Sequence, residues 1–222
     1  MGLLAVADDV RSAFPELHIV GVHVEGLDNR GRWPDVDDRL TAVERSGTPI
    51  GADDPRIASW HAAYRRFGTN PRRQRPSVDA LTRRLARSRR LPRISPFVDA
   101  YNVVSITHGV PAGAFDLDRV DGDITVRFAR SGDAFTPLGE PDTVEEPHLG
   151  EVIYADHSGV LTRHWNHRDA DRTKVTTESR RVLAVLEAVE NAHHAAVDAA
   201  ASDLAALLGP RAKAVAVLEL AG

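Results

Sequence analysis

The stretch from Thr162 to Thr173, TRHWNHRDADRT, concentrates side chains that carry chemistry. It holds two His, three Arg, two Asp and one Asn, and only Trp165 and Ala170 are apolar. His164 and His167 would bind a metal only if the fold supplied a third ligand, because no Cys and no HExxH pattern accompanies them. Three interpretations follow: a metal site, a nucleic-acid contact or the wall of a pocket.

A second polar group lies on one predicted helix and consists of Asp99, Tyr101, Asn102 and Ser105. Asp99, Asn102 and, more loosely, Ser105 repeat near the helical period, so they can project together. An Asp and an Asn on the inward face of an apolar helix are costly unless they meet partners or a ligand. The group is therefore either a ligand site or a structural network with Arg163 or Arg168.

Several enzyme classes lack their sequence signatures. The chain has no Cys, which removes disulfides, thiolate zinc sites and Cys nucleophiles. It contains no GxSxG elbow, and VDGDIT and SGTPIG lack the spacing and the Lys of a phosphate loop. We expect neither a metal nor a cofactor.

Basic residues are unevenly distributed in a chain whose net charge is −4. Lys174 and Lys213 are the only Lys among the 28 basic residues. Arg is dense from Arg65 to Arg93, where Asp79 is the only acid. Arg usage over the whole chain fits a GC-rich genome, but that does not explain the clustering. The stripe is either a phosphate-binding face or a solvated helix face.

Composition describes an ordinary globular protein, with 42% hydrophobic and 27% charged residues among 222. No apolar run approaches the ~18 residues of a membrane span. The start, MGLLAVADDVRSAF, lacks the features of a secretory signal. A cytoplasmic location without a membrane partner is the expectation.

Helices are predicted for five segments: WPDVDDRLTAVERSG, DDPRIASWHAAYRRFG, RPSVDALTRRLARSRR, the stretch ending at Gly109, and the Ala-rich ENAHHAAVDAAASDLAALLG. Asp35 and Ser77 are expected to cap the first and the third. Strands are predicted in FPELHIVGVHVEGL, DGDITVRFA, EVIYADHSGVLTRHW, TKVTT and AKAVAVLEL, whereas RRVLAVLEAV fits a helix or a strand.

The order of these elements predicts a single α+β domain over 1–222, with a mixed or antiparallel β-sheet core flanked by helices. A helical half, about 35–109, is inserted after a first strand. A β-rich part spans 110–189, and a helix and a strand fill 190–222.

The motifs, taken in order, resemble the tRNA-editing module of the bacterial phenylalanyl-tRNA synthetase beta subunit, its third and fourth B-modules. The shared residues are Asp99, Asn102, Gly109, Pro111 and Ala114 to Asp116. Freestanding proteins built from that module alone are still more similar, and the matching residues are Phe67-Gly68, Pro71, Arg75 to Ser77, Tyr101-Asn102, Ser105, Gly150-Glu151, Tyr154 to Asp156, Arg163, Trp165-Asn166, Arg168 and Thr173.

The resemblance implies hydrolysis of the ester that joins a wrong amino acid to tRNA. An aminoacyl ester is already activated, so a positioned water and donors for the oxyanion suffice. One departure concerns the turn GVPAGAFD, where the synthetase module often has a His and this chain has Gly113. Some freestanding members are associated with clearing the arginine analogue canavanine from arginine tRNA, for which Asp99, Asp116 or Asp156 would be counter-charges.

The expected protein is a trans-acting aminoacyl-tRNA deacylase whose partner is mischarged tRNA, with no obligate protein partner. The expected catalytic residues are Asn102, Ser105, Asn166 and Thr173. Substrate contacts are expected from Asp99, Tyr101, Gly113, Asp116, Arg163, Trp165 and Arg168, with both Arg on terminal phosphates and Trp165 stacked on the adenine. The acceptor stem is expected to meet Arg72, Arg73, Arg75, Arg83 and Arg84.

Two alternatives belong to other classes. One is a non-catalytic tRNA- or ligand-binding module of the same fold, favoured by Gly113 in place of the His. The other is a hydrolase of free amino-acid esters or amides, for which the Arg stripe would have no role.

Overall fold

A computed structural model describes residues 3–47, 50–51 and 53–221, which form nine strands and six α-helices. The strands are β1 (Leu4–Val6), β2 (His18–Glu25), β3 (Ala112–Asp116), β4 (Ile124–Phe128), β5 (Val152–Asp156), β6 (Gly159–Arg163), β7 (Arg168–Asp169), β8 (Arg181–Ala188) and β9 (Ala214–Ala221). The helices are α1 (Asp8–Ala13), α2 (Pro34–Ser46), α3 (Pro55–Arg66), α4 (Ser77–Ser88), α5 (Pro96–His108) and α6 (His194–Leu208). No helix in these ranges is long and apolar enough to cross a membrane.

The strands form two sheets. The four-stranded sheet has the order β3-β8-β2-β9 and is antiparallel throughout. The five-stranded sheet has the order β1-β4-β5-β6-β7, in which only β1 and β4 are parallel. The prediction of an α+β domain with a mixed or antiparallel core flanked by helices is confirmed.

Strand β8 separates the two main cores, because successive side chains of a strand point to opposite faces. Val182, Ala184 and Leu186 join the core that contains residues of α2, α5 and α6. Leu183 and Val185 join the core that contains residues of the five-stranded sheet. Alternation therefore directs Glu187, two residues further on, into the space between the sheets, where it is 1% exposed.

Two predicted helix caps are wrong. Trp33 occupies the N-cap position of α2, so Asp35 lies inside the first turn behind Pro34. Pro76 takes that position in α4, and Ser77 becomes the first helical residue. In both cases a proline fixes the backbone at the helix start.

The strand predictions are right for β2, β4, β5 and β9, and RRVLAVLEAV is strand β8. The segment TKVTT is not a strand. The strand predicted through Trp165 ends at Arg163, because His164 and Trp165 take φ values of 46° and 65°. Arg163 and Trp165 therefore do not share a strand face.

Candidate functional site

A cavity of about 260 Å³ opens where the two sheets meet the helices α4 and α5. Its polar lining comes from Ser77, Tyr101, Asn102, Tyr154, Thr162, Asn166, His167, Asp169 and Glu187. Its apolar lining includes Leu81, Val98, Phe115, Leu138 and Val185. A concave apolar site with a few convergent polar groups is the usual form of a small-ligand site.

Glu187 is the most deeply buried charged group of this cavity. It receives a hydrogen bond from Trp165 Nε1, and the Tyr154 hydroxyl and the Asn166 amide lie beside it. Burial raises the pKa of the Glu187 carboxyl to about 7, although these neighbours favour its ionised form. Within the described chain no Arg, Lys or His pairs with it. The carboxyl can therefore hold or release a proton near neutral pH.

Three polar atoms of cavity residues are buried without a well-formed hydrogen bond among the described residues: Ser77 Oγ, Tyr154 Oη and Asn166 Nδ2. The last two lie beside the Glu187 carboxyl, which is the acceptor within their reach. The Asn166 amide is oriented by the Tyr64 hydroxyl, which donates to Asn166 Oδ1 at 2.8 Å. An unpaired buried polar atom typically costs ~1–3 kcal/mol, so the Ser77 hydroxyl is a group that a ligand would satisfy.

A second carboxyl, Asp169, lines the same cavity from strand β7. Burial raises its pKa to about 6, and in the described part of the chain no cation pairs with it. Tyr101 lies close enough that Asp169 and Asp99, after the larger effect of burial, raise the pKa of its phenol. A cavity with two such carboxyls favours a ligand that brings a cation or hydrogen-bond donors.

Asn102 and Gly113 face the cavity from α5 and β3. Asn102 is 7% exposed, and its side-chain amide makes no hydrogen bond to the described residues. A Cβ added at Gly113 would have no atom within 4 Å. The Asn102 amide is therefore available to a ligand. At Gly113, where the synthetase module that the motifs resemble often has a His, the cavity has room for a side chain.

Trp165 forms a wall of the cavity in the left-handed turn that follows β6. Its backbone amide donates to Val152 O at 2.6 Å, and Thr162 Oγ1 donates to its carbonyl at 2.5 Å. Phe14 and Trp60 pack edge-on against the indole, with ring centroids 4.9 and 5.1 Å away. Because the indole is 0% exposed, it has no free ring face in this structure for the predicted stacking on an adenine.

Arg163 and Arg168 belong to an ion-pair network and do not line the cavity. Arg163 is 8% exposed and contacts Glu145 at 2.7 Å and Glu151 at 2.9 Å, whereas Arg168 contacts Glu140 and Glu145. Neither Arg therefore has a free guanidinium group for the terminal phosphates, and the contact stays a prediction for Arg168, whose side chain is 35% exposed. The alternative network with Asp99 and Asn102 is also absent from the described contacts.

Four further predicted site residues have structural partners outside the cavity. Ser105 Oγ donates to Val110 O at 2.6 Å, and Thr173 O accepts from the Asp116 amide. Asp116 accepts from Ser179 Oγ, and Asp99 accepts from the Ile94 amide. The cavity thus gathers Tyr101, Asn102, Gly113, Trp165 and Asn166 from the predicted set, and leaves these four outside.

Sequence reasoning missed Glu187, Asp169, Tyr154 and His167 as site residues. A signal for Glu187 existed, because it is the only charge in the apolar run VLAVLEAV. The unresolved choice between helix and strand for that run concealed its face. His167 connects the cavity to the Arg stripe, since its Nδ1 donates to Arg75 O at 2.9 Å.

The His of TRHWNHRDADRT have protein partners. His164 Nδ1 lies 2.9 Å from Thr69 Oγ1 and 3.4 Å from Glu151, and burial lowers its pKa to about 4. Over the described ranges no three His, Asp or Glu side chains are arranged to hold a metal ion.

The profile of the B3/4 domain family matches residues 59–205, which is more than half of the chain. This chain belongs to the B3/4 domain family. The match includes helices α4 and α5 and all of the cavity residues described above.

The B3/4 chain is similar to phenylalanine–tRNA ligase beta subunits. It is 38% identical over 97 residues to that of Chromobacterium violaceum, covering 38% of this chain and 12% of the relative. It is 28% identical over 134 residues to that of Bordetella pertussis, covering 60% of this chain and 16% of the relative. The chain thus spans less than a fifth of the length of these curated relatives.

A solved structure has the same fold: an N-terminal fragment of the phenylalanyl-tRNA synthetase beta subunit from Pyrococcus horikoshii. The superposition covers 96% of this chain and 49% of the fragment, with a TM-score of 0.50 and 15% identity. The fold prediction, a beta-subunit editing-domain-like α+β domain, is therefore confirmed.

Proposed function

We propose that this B3/4 domain is an aminoacyl-tRNA deacylase that hydrolyses the ester of mischarged tRNA in trans. The observation that carries the proposal is the cavity with two carboxyls that no cation pairs with, an unused Asn102 amide and an unpartnered Ser77 hydroxyl. A volume of about 260 Å³ suits an amino acid with its ester, whereas sites for larger ligands are usually ~300–1,000 Å³. The nucleotide would stay outside.

Hydrolysis needs donors aimed at the oxygen that becomes negative when water adds to the ester carbonyl. The Asn102 amide makes no hydrogen bond to the described residues, and Asn166 Nδ2 lies beside Glu187 without a well-formed hydrogen bond. In this proposal they stabilise the oxyanion and hold the water. The bond from the carbonyl carbon to the ribose oxygen then breaks, and that oxygen takes up a proton.

The carboxyls Glu187 and Asp169 would select the amino acid. They replace Asp99, Asp116 and Asp156 as candidate counter-charges, because Asp156 pairs with Arg172 and the other two accept protein hydrogen bonds. A donor-rich cationic side chain, such as that of the arginine analogue canavanine on arginine tRNA, matches two carboxyls whose burial disfavours an unpaired charge.

A panel of tRNAs, each charged with a wrong amino acid and including canavanyl arginine tRNA, tests the proposal. We expect the wild type to release the amino acid from at least one member. The rate of release should fall ~100-fold or more in Asn102→Ala, because the variant lacks a donor to the oxyanion. Wild-type inactivity on every member would exclude the deacylase.

The two alternative functions are separated by the same panel. Tight binding of uncharged tRNA without release of any amino acid would favour the non-catalytic module. Equal rates on free amino-acid esters and on the corresponding aminoacyl-tRNAs would favour a hydrolase of small esters.

A further inference from the structure

The outer face of helix α4 forms a second cavity of about 810 Å³, separate from the site above. We call it the arginine groove, and it is lined by Arg75, Arg83, Arg84, Arg87, Ala80 and Thr82. Four guanidinium groups around one groove attract an anion.

The four Arg differ in their free charge. Arg83 contacts Asp79 at 2.7 Å and Arg75 contacts it at 3.6 Å, so both are engaged with this buried carboxylate. Arg84 and Arg87 are exposed and make no ion pair with the described residues. The single carboxylate of Asp79 leaves the groove with a net positive charge, and Arg84 and Arg87 are the two of its Arg that have no carboxylate partner among the described residues.

The groove and the catalytic cavity share helix α4 as a wall. Ala80 lines both, while Ser77 and Leu81 line only the cavity. From Ala80 to Arg87 the helix advances about 10 Å at ~1.5 Å per residue. That length corresponds to about three nucleotides of a stacked strand at ~3.4 Å each.

We propose that the arginine groove binds the phosphodiester backbone of the single-stranded RNA that precedes the terminal nucleoside. Arg84 and Arg87 contact its phosphates while the ester at the strand end occupies the cavity. The inference rests on the proposed function for the identity of the strand. It differs from the predicted acceptor-stem contact in assigning the groove to the unpaired end, and of the five predicted Arg it keeps only Arg84 as a phosphate contact and adds Arg87.

Binding of uncharged tRNA, with and without its unpaired 3′ end, tests this path at several salt concentrations. For the intact tRNA, Arg84→Gln/Arg87→Gln is expected to raise Kd roughly tenfold at low salt. The slope of log Kd against log salt should fall by about 1.4, at ~0.7 for each single-strand phosphate contact. For the trimmed tRNA, the variant and the wild type should bind equally.

Matched controls are Arg30→Gln/Arg130→Gln, which removes two exposed Arg outside the groove, and Arg84→Lys/Arg87→Lys, which keeps the charge. In both variants the slope of log Kd against log salt should equal that of the wild type. Thermal unfolding checks that all variants are folded.

Equal slopes for Arg84→Gln/Arg87→Gln and wild type, or an equal loss on intact and trimmed tRNA, would overturn the groove assignment. Uncharged tRNA needs no hydrolysis, so failure of the deacylase proposal leaves this result interpretable. Conversely, an unchanged Kd with intact deacylation would reject the groove alone.

Discussion

At the scale of single residues, the cavity depends on a carboxyl that the fold keeps in an unfavourable place. Glu187 is buried between two sheets, and its described neighbours are an indole, a phenol and an amide rather than a cation. Burial raises its pKa to about 7 against a usual value of 4.5. Such a group weakens the folded state whenever it is ionised, which is a common property of functional sites.

Glu187→Gln should therefore stabilise the protein at high pH. The folded protein keeps the Glu187 proton up to pH about 7, whereas the unfolded chain releases it near pH 4.5. The free energy of unfolding of the wild type thus falls as pH rises through this window, by about 3 kcal/mol from this residue. Gln does not titrate, so the free energy of unfolding of the variant should rise relative to that of the wild type between pH 5 and 8. Chemical denaturation of both proteins across this pH range measures the difference in free energy of unfolding. A difference that does not change with pH would contradict the raised pKa of Glu187.

Gly113→His should fold normally and obstruct the cavity. Gly113 lies in β3 without a positive φ, and a Cβ there meets no atom within 4 Å. We expect an unfolding temperature within a few degrees of wild type, because the strand backbone accepts any L-residue. The amino acid would bind more weakly, so KM should rise more than kcat falls. A variant with wild-type KM would show that Gly113 does not face the substrate.

Residue types and motifs were sufficient to predict Tyr101, Asn102, Gly113, Trp165 and Asn166 at one site. They were misleading for Arg163, whose charge suggested phosphate although its partners are Glu145 and Glu151. The sequence shows which residues are polar. It does not show which of them form ion pairs or hydrogen bonds within the protein, because those partners are distant in the chain.

At the scale of elements, the segment after β6 is held by the network around Arg163. Burial alone would raise the pKa of Glu151, but hydrogen bonds from Arg163 lower it below its usual value. Glu151 Oε1 also accepts from the His164 amide at 3.2 Å. The network thus fixes the left-handed turn that directs Trp165 towards Glu187.

Arg163→Ala is expected to destabilise the protein by ~3–5 kcal/mol, because it leaves the buried Glu151 without its main partner. Arg168→Ala is the matched control, since its side chain and its partners are more exposed and the cost should be ~1 kcal/mol or less. Denaturant unfolding of the two variants measures both values. A loss for Arg163→Ala no larger than that of the control would contradict the role of the network.

The helices α2 to α6 were predictable because each carries local signals: an apolar face, a proline near the start or a glycine near the end. Strand β3 was not, since AGAFD is short and its identity comes from pairing with β8. The strand predicted at TKVTT was wrong for the opposite reason. Its β-branched residues favour a strand locally, but no neighbouring strand pairs with them in the described structure.

At the scale of the whole molecule, the site is a product of non-local pairing. Val22 pairs with Ala184, and Gly113 pairs with Val185, so the two ends of the chain build one sheet. The second sheet then closes over β8 and encloses Glu187. A single sequence does not specify these pairings, which is why the fold class was predictable and the buried carboxyl of Glu187 in the cavity was not.

The proposed function requires that the cavity beside Asn102 hydrolyses an aminoacyl ester. The most direct measurement is single-turnover release of the amino acid from the best tRNA of the panel by wild type, Asn102→Ala and the exposed control Asn191→Ala. We predict wild-type rates for the control and a loss of ~100-fold or more for Asn102→Ala, with both variants folded. Equal rates for all three proteins would show that Asn102 takes no part in the hydrolysis and would contradict the proposed site.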